Sequence, residues 1–469
     1  MIKRGLLACA AASGTLAAAC AVHEVQAPVP ALPRHFASPA AKGDWPSQDW
    51  YAAFGSDELL QLVNQAAADN MDVNMARSRV LQADARARQA GAAILPSLDG
   101  RADGNYLQGH SSRGTAHETD WAALFSAGYE VDFWGKNHAS ARAAAARSDA
   151  SRADRDTLAL TTLAGVASGY FQVLSIRERL DTAASNREAA QQLLDAVQAR
   201  FDAGLSNPVE LAAQKATLAA ASVVIPELHQ QESESLAALA ILLGRQPEEF
   251  DVQARALDAL QEPPVSAGLP AQLLTRRPDV YMAEANMRAA NADLVVARAA
   301  LFPSLTLTAS GGVQNPALNA AVITLAGVGP TLNLGASITQ PIFDGGRLRA
   351  VRAETEAKDQ ELVLAYRAAI LGALLDVENA LSELRHLDEA RGFQQQSLAQ
   401  SERAFSGASL RYKEGAGDFL AVLDSQRALY LARDQFSRYR LARLQALVAL
   451  CKALGGGWQA PSPAAKERE

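Results

Sequence analysis

Gln89-Ala-Gly-Ala-Ala-Ile-Leu-Pro96-Ser-Leu98 recurs later in the chain as Val296-Ala-Arg-Ala-Ala-Leu-Phe-Pro303-Ser-Leu305, at an offset of 303 − 96 = 207. A second match joins Arg200-Phe-Asp-Ala-Gly204 to Arg411-Tyr-Lys-Glu-Gly415, at an offset of 415 − 204 = 211. Two matches at nearly one spacing indicate an internal two-fold repeat of a unit about 200 residues long.

Each copy contains two segments in which apolar and polar residues alternate, as in a β-strand with two different faces. In the first copy they cover residues 97–106 and 121–134, and the polar stretch 108–120 between them predicts a hairpin loop. The second copy has matching segments near 305–310 and 332–339. Strands of an outer-membrane barrel need about 9–11 residues and one apolar face. Because four strands are too few to close a barrel and open edges are excluded in lipid, we expect several chains to share one barrel.

Long helices are predicted between the hairpins. Residues 139–202 and 347–414 contain no proline and few glycines, and at 1.5 Å per residue each would extend roughly 95 Å. Apolar residues within the first recur at alternating steps of three and four, the rhythm of a coiled coil. Pro208 and Asp418 follow the glycine-containing ends and predict the starts of partner helices. A further helix is predicted from Asp57 to Gly91.

The N-terminus has the pattern of a secretory signal, with Lys3-Arg4 followed by an apolar stretch that ends at Cys20. The stretch Leu16-Ala-Ala-Ala-Cys20 resembles a bacterial lipobox, so we expect a covalent lipid on Cys20. The residue after Cys20 is Ala21 and not aspartate. In lipoproteins with such a lipobox, the absence of an aspartate at this position favours delivery to the outer membrane. The alternative is ordinary cleavage after Ala19 or Ala27 without lipid. The proline-rich residues that follow predict an extended tether.

The composition contains no sign of catalysis. The seven histidines are scattered without metal-ligand spacing, and Gly455-Gly-Gly457 lacks the lysine and helix that would follow in a phosphate loop. A net charge of −7 without a block of basic residues disfavours nucleic acid as a partner. We therefore expect no enzyme activity, no metal and no cofactor other than the lipid.

Five motifs, in this order, resemble the TolC-type outer-membrane factors, and specifically their lipoprotein subgroup of efflux channels. They are Arg276-Arg-Pro-Asp-Val280, Ala299-Ala-Leu-Phe-Pro-Ser-Leu305, Gln340-Pro-Ile-Phe-Asp-Gly-Gly346, the stretch from Arg411-Tyr412 to Gln426-Arg427, and Leu454-Gly-Gly-Gly-Trp458. The resemblance implies a mixed α/β membrane protein that forms a homotrimer. Four strands per chain would give a 12-strand β-barrel in the outer membrane, continuous with a long α-helical coiled-coil barrel in the periplasm. It also implies passive export of drugs or other small toxic molecules, received from an inner-membrane pump through a periplasmic adaptor protein.

The resemblance also assigns residues to a periplasmic gate. Leu420 is the apolar constriction, Asp424 and Arg427 are the polar one, and Tyr412 helps to hold the closed state. On a helix, residues 420, 424 and 427 share one face, and the simpler alternative is a solvated helix end with an Asp424–Arg427 ion pair. A family aspartate position corresponds to Ala421 here, so a second acidic ring is absent.

The turns between the long helices and their partners are expected to contact the adaptor. The residues assigned to these contacts are Gly204, Asn207, Gly415, Gly417 and Asp418. The alternative is that these glycines only end the helices, and both roles are compatible.

These inferences divide the chain into six parts. They are a signal peptide (1–19), a lipidated tether (20–46), a first repeat (47–253, with its hairpin at 95–134), a linker (254–270), a second repeat (271–457, with its hairpin at 303–343) and a tail (458–469). The expected location is the outer membrane, lipid-anchored and extending into the periplasm. The rival functions are a periplasmic coiled-coil structural or adaptor lipoprotein and the exit duct of a type I protein-secretion system.

Overall fold

A computed structural model of the protein describes residues 31–37, 44–111, 114–315 and 329–461. The predicted signal peptide and Cys20 lie outside the described residues. The chain forms two compact units. Among the described residues, the first unit contains Val80–Ser151 and Ala283–Arg367, and the second contains the rest.

A four-stranded antiparallel sheet in the order β1-β2-β3-β4 lies in the first unit. Its strands are β1 (Ser97–Ser111), β2 (Gly114–Val131), β3 (Ser304–Asn315) and β4 (Gly329–Thr339). The register aligns Asp99, Ser126, Ser310 and Asn333 across one face, and Leu98, Ala127, Ala309 and Leu334 across the other. Because neighbours across a ladder point to the same side, the sheet has one polar and one apolar face. The predicted alternation is confirmed in all four strands.

The loop predicted at residues 108–120 is wrong. β1 continues to Ser111 and β2 begins at Gly114, with Ser111 paired to Gly114. β2 ends at Val131 rather than at Trp134. Polar composition favours a loop, but a strand that extends beyond an apolar layer can carry polar residues on both faces. The ladder continues because backbone pairing does not depend on side-chain polarity.

Seven helices of more than two turns are found in the described part of the chain. They are α1 (Asp57–Asp69), α2 (Met71–Ala92), α3 (Lys136–Asp202), α4 (Pro208–Leu242), α5 (Pro278–Ala299), α6 (Arg347–Lys413) and α7 (Phe419–Ala453). α2 and α5 both have 22 residues, α3 and α6 both have 67, and α4 and α7 both have 35. The predicted repeat and the two very long helices are confirmed.

The helix predicted from Asp57 to Gly91 is two helices, because the chain breaks at Asn70 between α1 and α2. The Asn70 side chain accepts a hydrogen bond from the backbone N–H of Val73 at 3.0 Å and donates to the carbonyl of Leu242 at 2.9 Å. An asparagine can serve as an N-cap inside an unbroken apolar pattern. Periodicity alone therefore did not reveal the break.

Arg277, from the first of the five motifs, joins the start of α5 to α6 and α7. Its guanidinium donates to Asp279 at 2.9 Å, to Asp376 at 2.9 Å and to the carbonyl of Ala453 at 2.9 Å. Burial lowers the pKa of Arg277, but the two carboxylates outweigh that effect and raise it above its usual value. The motif therefore serves the packing of the second unit.

Candidate functional site

The two turns that follow the long helices have the same backbone geometry. Gly204 ends α3 with φ +70°, and Gly415 ends α6 with φ +76°, a conformation that favours glycine. In the first turn Leu205 N donates to Arg200 O at 2.8 Å and Gly204 N to Phe201 O at 2.9 Å; in the second, Ala416 N donates to Arg411 O at 2.9 Å and Gly415 N to Tyr412 O at 3.0 Å. This pair of bonds is the Schellman motif, so both glycines serve as helix stops.

Each partner helix begins with a side-chain cap. Asn207 Oδ1 accepts from the backbone N–H groups of Val209 at 2.9 Å and Glu210 at 3.0 Å, at the start of α4. Asp418 Oδ1 accepts from Leu420 N at 3.3 Å, at the start of α7. Gly417, just before that cap, is crowded, since an added Cβ would lie 3.0 Å from the backbone of Arg411. The five predicted contact residues therefore determine the shape of the two turns.

A small apolar core lies next to the two turns. Its buried members come from α3, α6 and α7: Leu193, Val197, Tyr412, Phe419, Val422 and Leu423. This core contains side chains from both repeats. The two helical hairpins therefore pack against each other through this core.

Tyr412 is the polar centre of this core. It is 3% exposed, and its hydroxyl donates to Glu210 Oε2 at 3.3 Å. The guanidinium of Arg200 lies 4.7 Å from the ring centroid, and its Nη1 donates to the Tyr412 carbonyl at 3.1 Å. Burial and the negative charge of Glu210 raise the pKa of Tyr412, so its hydroxyl keeps its proton and remains a donor at neutral pH. Residues more than 200 positions apart in sequence are thus held in one contact.

Glu210 is itself held from two sides. Ser206 Oγ donates to Oε2 at 2.6 Å, and Asn207 Nδ2 donates to Oε1 at 3.0 Å. Arg200, Ser206 and Glu210 are not among the site residues predicted from the sequence. One signal could have found Glu210, because a glutamate three residues after a capping asparagine is a variant of the capping box.

The predicted gate residues lie on the opposite side of α7 from this core. Leu420 is 58% exposed, and Asp424 and Arg427 are also exposed, while Val422 and Leu423 are buried. Within the described chain, no ion pair joins Asp424 to Arg427. The helix end is solvated, as the simpler alternative has it, but the ion pair that was part of that alternative does not form within the single chain. Leu420, Asp424 and Arg427 form one unpartnered face, and we call it the α7 stripe.

The α7 stripe exposes one apolar, one acidic and one basic side chain beside the turns. No group of three or more histidine, cysteine, aspartate or glutamate side chains that could hold a metal ion is found in the described part of the chain. Cys451, the free cysteine of the described residues, is buried, and burial raises its pKa to about 12. A thiol protonated at neutral pH is a poor nucleophile.

Comparison with known proteins agrees with this geometry. The family model described as "Outer membrane efflux protein" matches residues 62–245 and 269–456, one match in each repeat. The chain is 44% identical over 421 residues to the pyoverdine export outer membrane protein OpmQ of Pseudomonas aeruginosa, with 88% of each chain covered. It is similar to the structure of the outer-membrane channel OprN, with a TM-score of 0.84, 26% identity and coverage of 93% of this chain and 99% of that one. For the open state of the MtrE outer membrane channel of Neisseria gonorrhoeae, the TM-score is 0.83 at 27% identity, covering 93% and 98%.

Proposed function

Because this chain belongs to the outer membrane efflux protein family, and is a non-enzymatic outer-membrane channel of an efflux system that extends into the periplasm, we propose that it works as a homotrimer. Three sheets of four strands would then close one 12-strand barrel in the lipid, and the long helices would form the periplasmic conduit. The observation that carries the proposal is the sheet itself, with one apolar face, one polar face and an unpaired edge at β1 and at β4. Open edges are not stable in lipid, whereas a closed ring of three chains has none.

The proposed resting state is closed at the α7 stripe. Three-fold symmetry would bring three copies of Leu420, Asp424 and Arg427 around one axis. The ring of three Leu420 side chains would exclude water. Each Asp424 would form an ion pair with Arg427 of a neighbouring copy and not with Arg427 of its own chain. Tyr412, which contacts Arg200 and donates a hydrogen bond to Glu210, would hold α7 in that position. This assignment is supported by the exposure of the stripe and by the tight packing behind it.

The proposed partners act at the two ends of the chain. A periplasmic adaptor would contact the turns at Gly204, Asn207, Gly415, Gly417 and Asp418, and an inner-membrane pump would supply the energy. A lipid on Cys20 would anchor the N-terminus in the outer membrane. The proposed cargo is a pyoverdine-like secreted small molecule, since OpmQ is a pyoverdine export protein and matches 88% of this chain.

Two measurements test the proposal. Membrane fractionation followed by native mass spectrometry in detergent should find the mature protein in the outer membrane, as a trimer that carries lipid on Cys20. Deletion of the gene should reduce secretion of the small-molecule cargo, with recovery on re-expression. A polypeptide that is monomeric and soluble without detergent would contradict the channel, and unchanged secretion would contradict the cargo alone.

A further inference from the structure

The junction between β4 and α6 carries the two most exposed large apolar side chains of the described residues. Ile342 is 91% exposed and Phe343 is 92% exposed. They follow Ile338, the last residue on the apolar face of β4, which is exposed as well. Apolar surface therefore continues from that face of the sheet into the connection to α6. Adjacent exposed apolar side chains of this size indicate a contact surface.

The equivalent junction of the first repeat is covered by the chain itself. At an offset of 211, Ile342 corresponds to Val131, which is half-buried. Three residues later, the Trp134 ring stacks on Phe302, with 4.6 Å between the ring centroids. Gly345 takes the place of Trp134 in the second junction. No ring is therefore available at that position to cover the exposed pair.

The charges at the two junctions differ in the same way. Lys136 Nζ, at the start of α3, forms an ion pair with Glu130 at 2.5 Å. The equivalent of Glu130 is Pro341, and the equivalent of Lys136 is Arg347. Arg347 and Arg349 are exposed, and neither forms an ion pair or a side-chain hydrogen bond with any other residue that the structure describes.

Asp344, the carboxylate closest in sequence, does not neutralise both arginines. It accepts from the backbone N–H groups of Gly346 at 2.9 Å and Leu348 at 2.8 Å. The charge of Arg347 acts on Asp344 without an ion-pair contact. One carboxylate beside two guanidinium groups leaves the start of α6 with a net positive charge.

We infer that this junction docks on anionic phospholipid headgroups in the periplasmic leaflet of the outer membrane. Ile342 and Phe343 insert among the acyl chains, and Arg347 and Arg349 bind phosphate oxygens. We call these four residues the α6 anchor. The chain is an outer-membrane channel that extends into the periplasm. The connection from its membrane-spanning sheet to a long helix therefore lies at the periplasmic boundary of the bilayer.

The chemistry of the α6 anchor matches that boundary. Apolar side chains beside cations are characteristic of segments that lie between acyl chains and headgroups. The headgroup layer is roughly 5–7 Å thick on each side, and Arg349 lies only about 3 Å further along α6 than Arg347. Both guanidinium groups therefore fit within the layer, where each can bind a phosphate through two hydrogen bonds. An anionic phospholipid is favoured over a zwitterionic one because its headgroup has no cation that would repel the arginines.

This inference goes beyond the proposed trimer and gate, because every copy of the chain carries its own α6 anchor. The competing occupant is a neighbouring copy, which would cover Ile342 and Phe343 with protein instead of lipid. In that arrangement Phe343 does not contact acyl chains, so an experiment can separate the two occupants.

Native mass spectrometry tests the charges. The protein in detergent would receive equal amounts of phosphatidylglycerol and phosphatidylcholine, and the ratio of the two bound lipids would be measured. Each arginine near an anionic surface strengthens binding by roughly fivefold, so Arg347→Gln/Arg349→Gln should lower the ratio by roughly twentyfold. Arg347→Lys/Arg349→Lys should retain most of it, because the charge remains. The matched control is Lys136→Gln/His138→Gln at the equivalent positions, where both side chains contact carboxylates of the chain, and it should leave the ratio unchanged.

Fluorescence quenching tests the apolar pair. Phe343→Cys would be labelled with a small dye and reconstituted into vesicles of phosphatidylcholine and phosphatidylglycerol that contain a phospholipid with a nitroxide on its acyl chain. Cys451 is buried and should not react with the dye. The nitroxide should quench the dye at position 343. The matched control is Leu364→Cys, at a position that is 61% exposed and lies about 26 Å along α6 from Arg347, and its dye should not be quenched.

Quenching at position 343, together with the lower lipid ratio of the glutamine variant, would support the inference. Absence of quenching at position 343 in the intact oligomer would overturn it and assign the apolar pair to a neighbouring copy. An unchanged ratio in Arg347→Gln/Arg349→Gln, or an equal fall in the control from the first repeat, would overturn the binding of anionic headgroups by the arginines. The same spectra count the chains in each particle, so a failure of the proposed trimer is distinguished from a failure of lipid binding.

Discussion

The two periplasmic turns share one backbone and differ in their chemistry. Both end a 67-residue helix with a Schellman glycine and start a 35-residue helix from a capped residue. On the partner helices, however, the equivalents of Leu420, Asp424 and Arg427 are Val209, Ala213 and Ala216. The charges of the α7 stripe therefore occur in only one copy of the repeat. A trimer would contain three charged stripes rather than six.

The first turn has a glutamate that the second turn lacks, and the second turn has a tyrosine that the first turn lacks. Glu210 in the first turn corresponds to Ala421 in the second, and Tyr412 in the second corresponds to Phe201 in the first. The acid and the phenol face each other across the two hairpins, where Tyr412 donates to Glu210. Duplication supplied the common backbone, and divergence left one hairpin with the stripe that we propose as the gate and the other with the carboxylate that accepts from Tyr412.

The largest expected effect comes from removing the restraint. Tyr412→Ala empties a buried position, and deleting a buried aromatic ring costs about 3–5 kcal/mol. If most of that loss falls on the closed state, the open fraction should rise roughly a hundredfold or more. Single-channel conductance in planar bilayers and uptake of a large antibiotic by intact cells measure the change.

The matched control is Phe201→Ala, at the equivalent position of the first turn. Phe201 is only half-buried and makes no hydrogen bond to the other hairpin, so we expect a much smaller leak. Tyr412→Phe retains the ring and isolates the hydroxyl. Equal leakage from Tyr412→Ala and Phe201→Ala would mean that the two turns are equivalent and that the restraint is not at Tyr412.

Much of this architecture could be read from the sequence, because repeats and periodicity are local signals. The offsets of 207 and 211 predicted two matched halves, and the glycines predicted the ends of the long helices. The contact among Arg200, Glu210 and Tyr412 could not be predicted, because no local pattern shows which distant helices meet. Asn70 shows a different limit of sequence patterns. Its side chain caps a new helix, although the helical spacing of apolar residues continues past it.

A smaller effect is expected for the apolar ring. Leu420→Ala would widen the proposed constriction without disturbing the packing behind it, because Leu420 is 58% exposed. Hydrophobic constrictions close by excluding water, so conductance should rise by roughly tenfold. The equivalent substitution in the first turn is Val209→Ala, also at an exposed position, and it should leave conductance unchanged. If Val209→Ala leaks as much as Leu420→Ala, both hairpins line the gate.

The preference of the channel for cations over anions should change by a smaller factor on substitution of Asp424 than the conductance does on substitution of Leu420. Asp424→Asn removes three carboxylates from the proposed ring, so the preference for cations should fall by roughly twofold at low salt and less at high salt. Reversal potentials in a salt gradient measure it. Ala216→Asp introduces a carboxylate on the first hairpin at the exposed equivalent of Arg427, whereas Ala213, the equivalent of Asp424, packs against the apolar core. If it restores cation preference to the Asp424→Asn variant, the first hairpin also faces the conduit.

The smallest effect concerns the other ends of the long helices, where the two copies are again alike but not identical. Asp132 accepts from the backbone of Asn137 at 3.0 Å and of His138 at 2.8 Å, and from the His138 ring at 2.6 Å. Asp344 accepts only from the backbone, at Gly346 and Leu348. Burial pushes the pKa of Asp132 upward, but these hydrogen bonds outweigh it and hold the pKa below its usual value.

A depressed carboxyl pKa stabilises the folded state above the unfolded value of about 3.9, and that stabilisation disappears as the pH falls through the folded pKa. Asp132→Asn should therefore lower the resistance of the trimer to thermal dissociation at pH 7, by about 0.5 kcal/mol. The loss should shrink as the pH falls below 4 and should vanish once the pH is below the folded pKa, where the wild-type carboxyl group is protonated as well. Asp344→Asn should act in the same direction but less strongly, because Asp344 has no imidazole partner. A loss for Asp132→Asn that is as large at pH 3 as at pH 7 would show that side-chain shape, rather than charge, supports the start of α3.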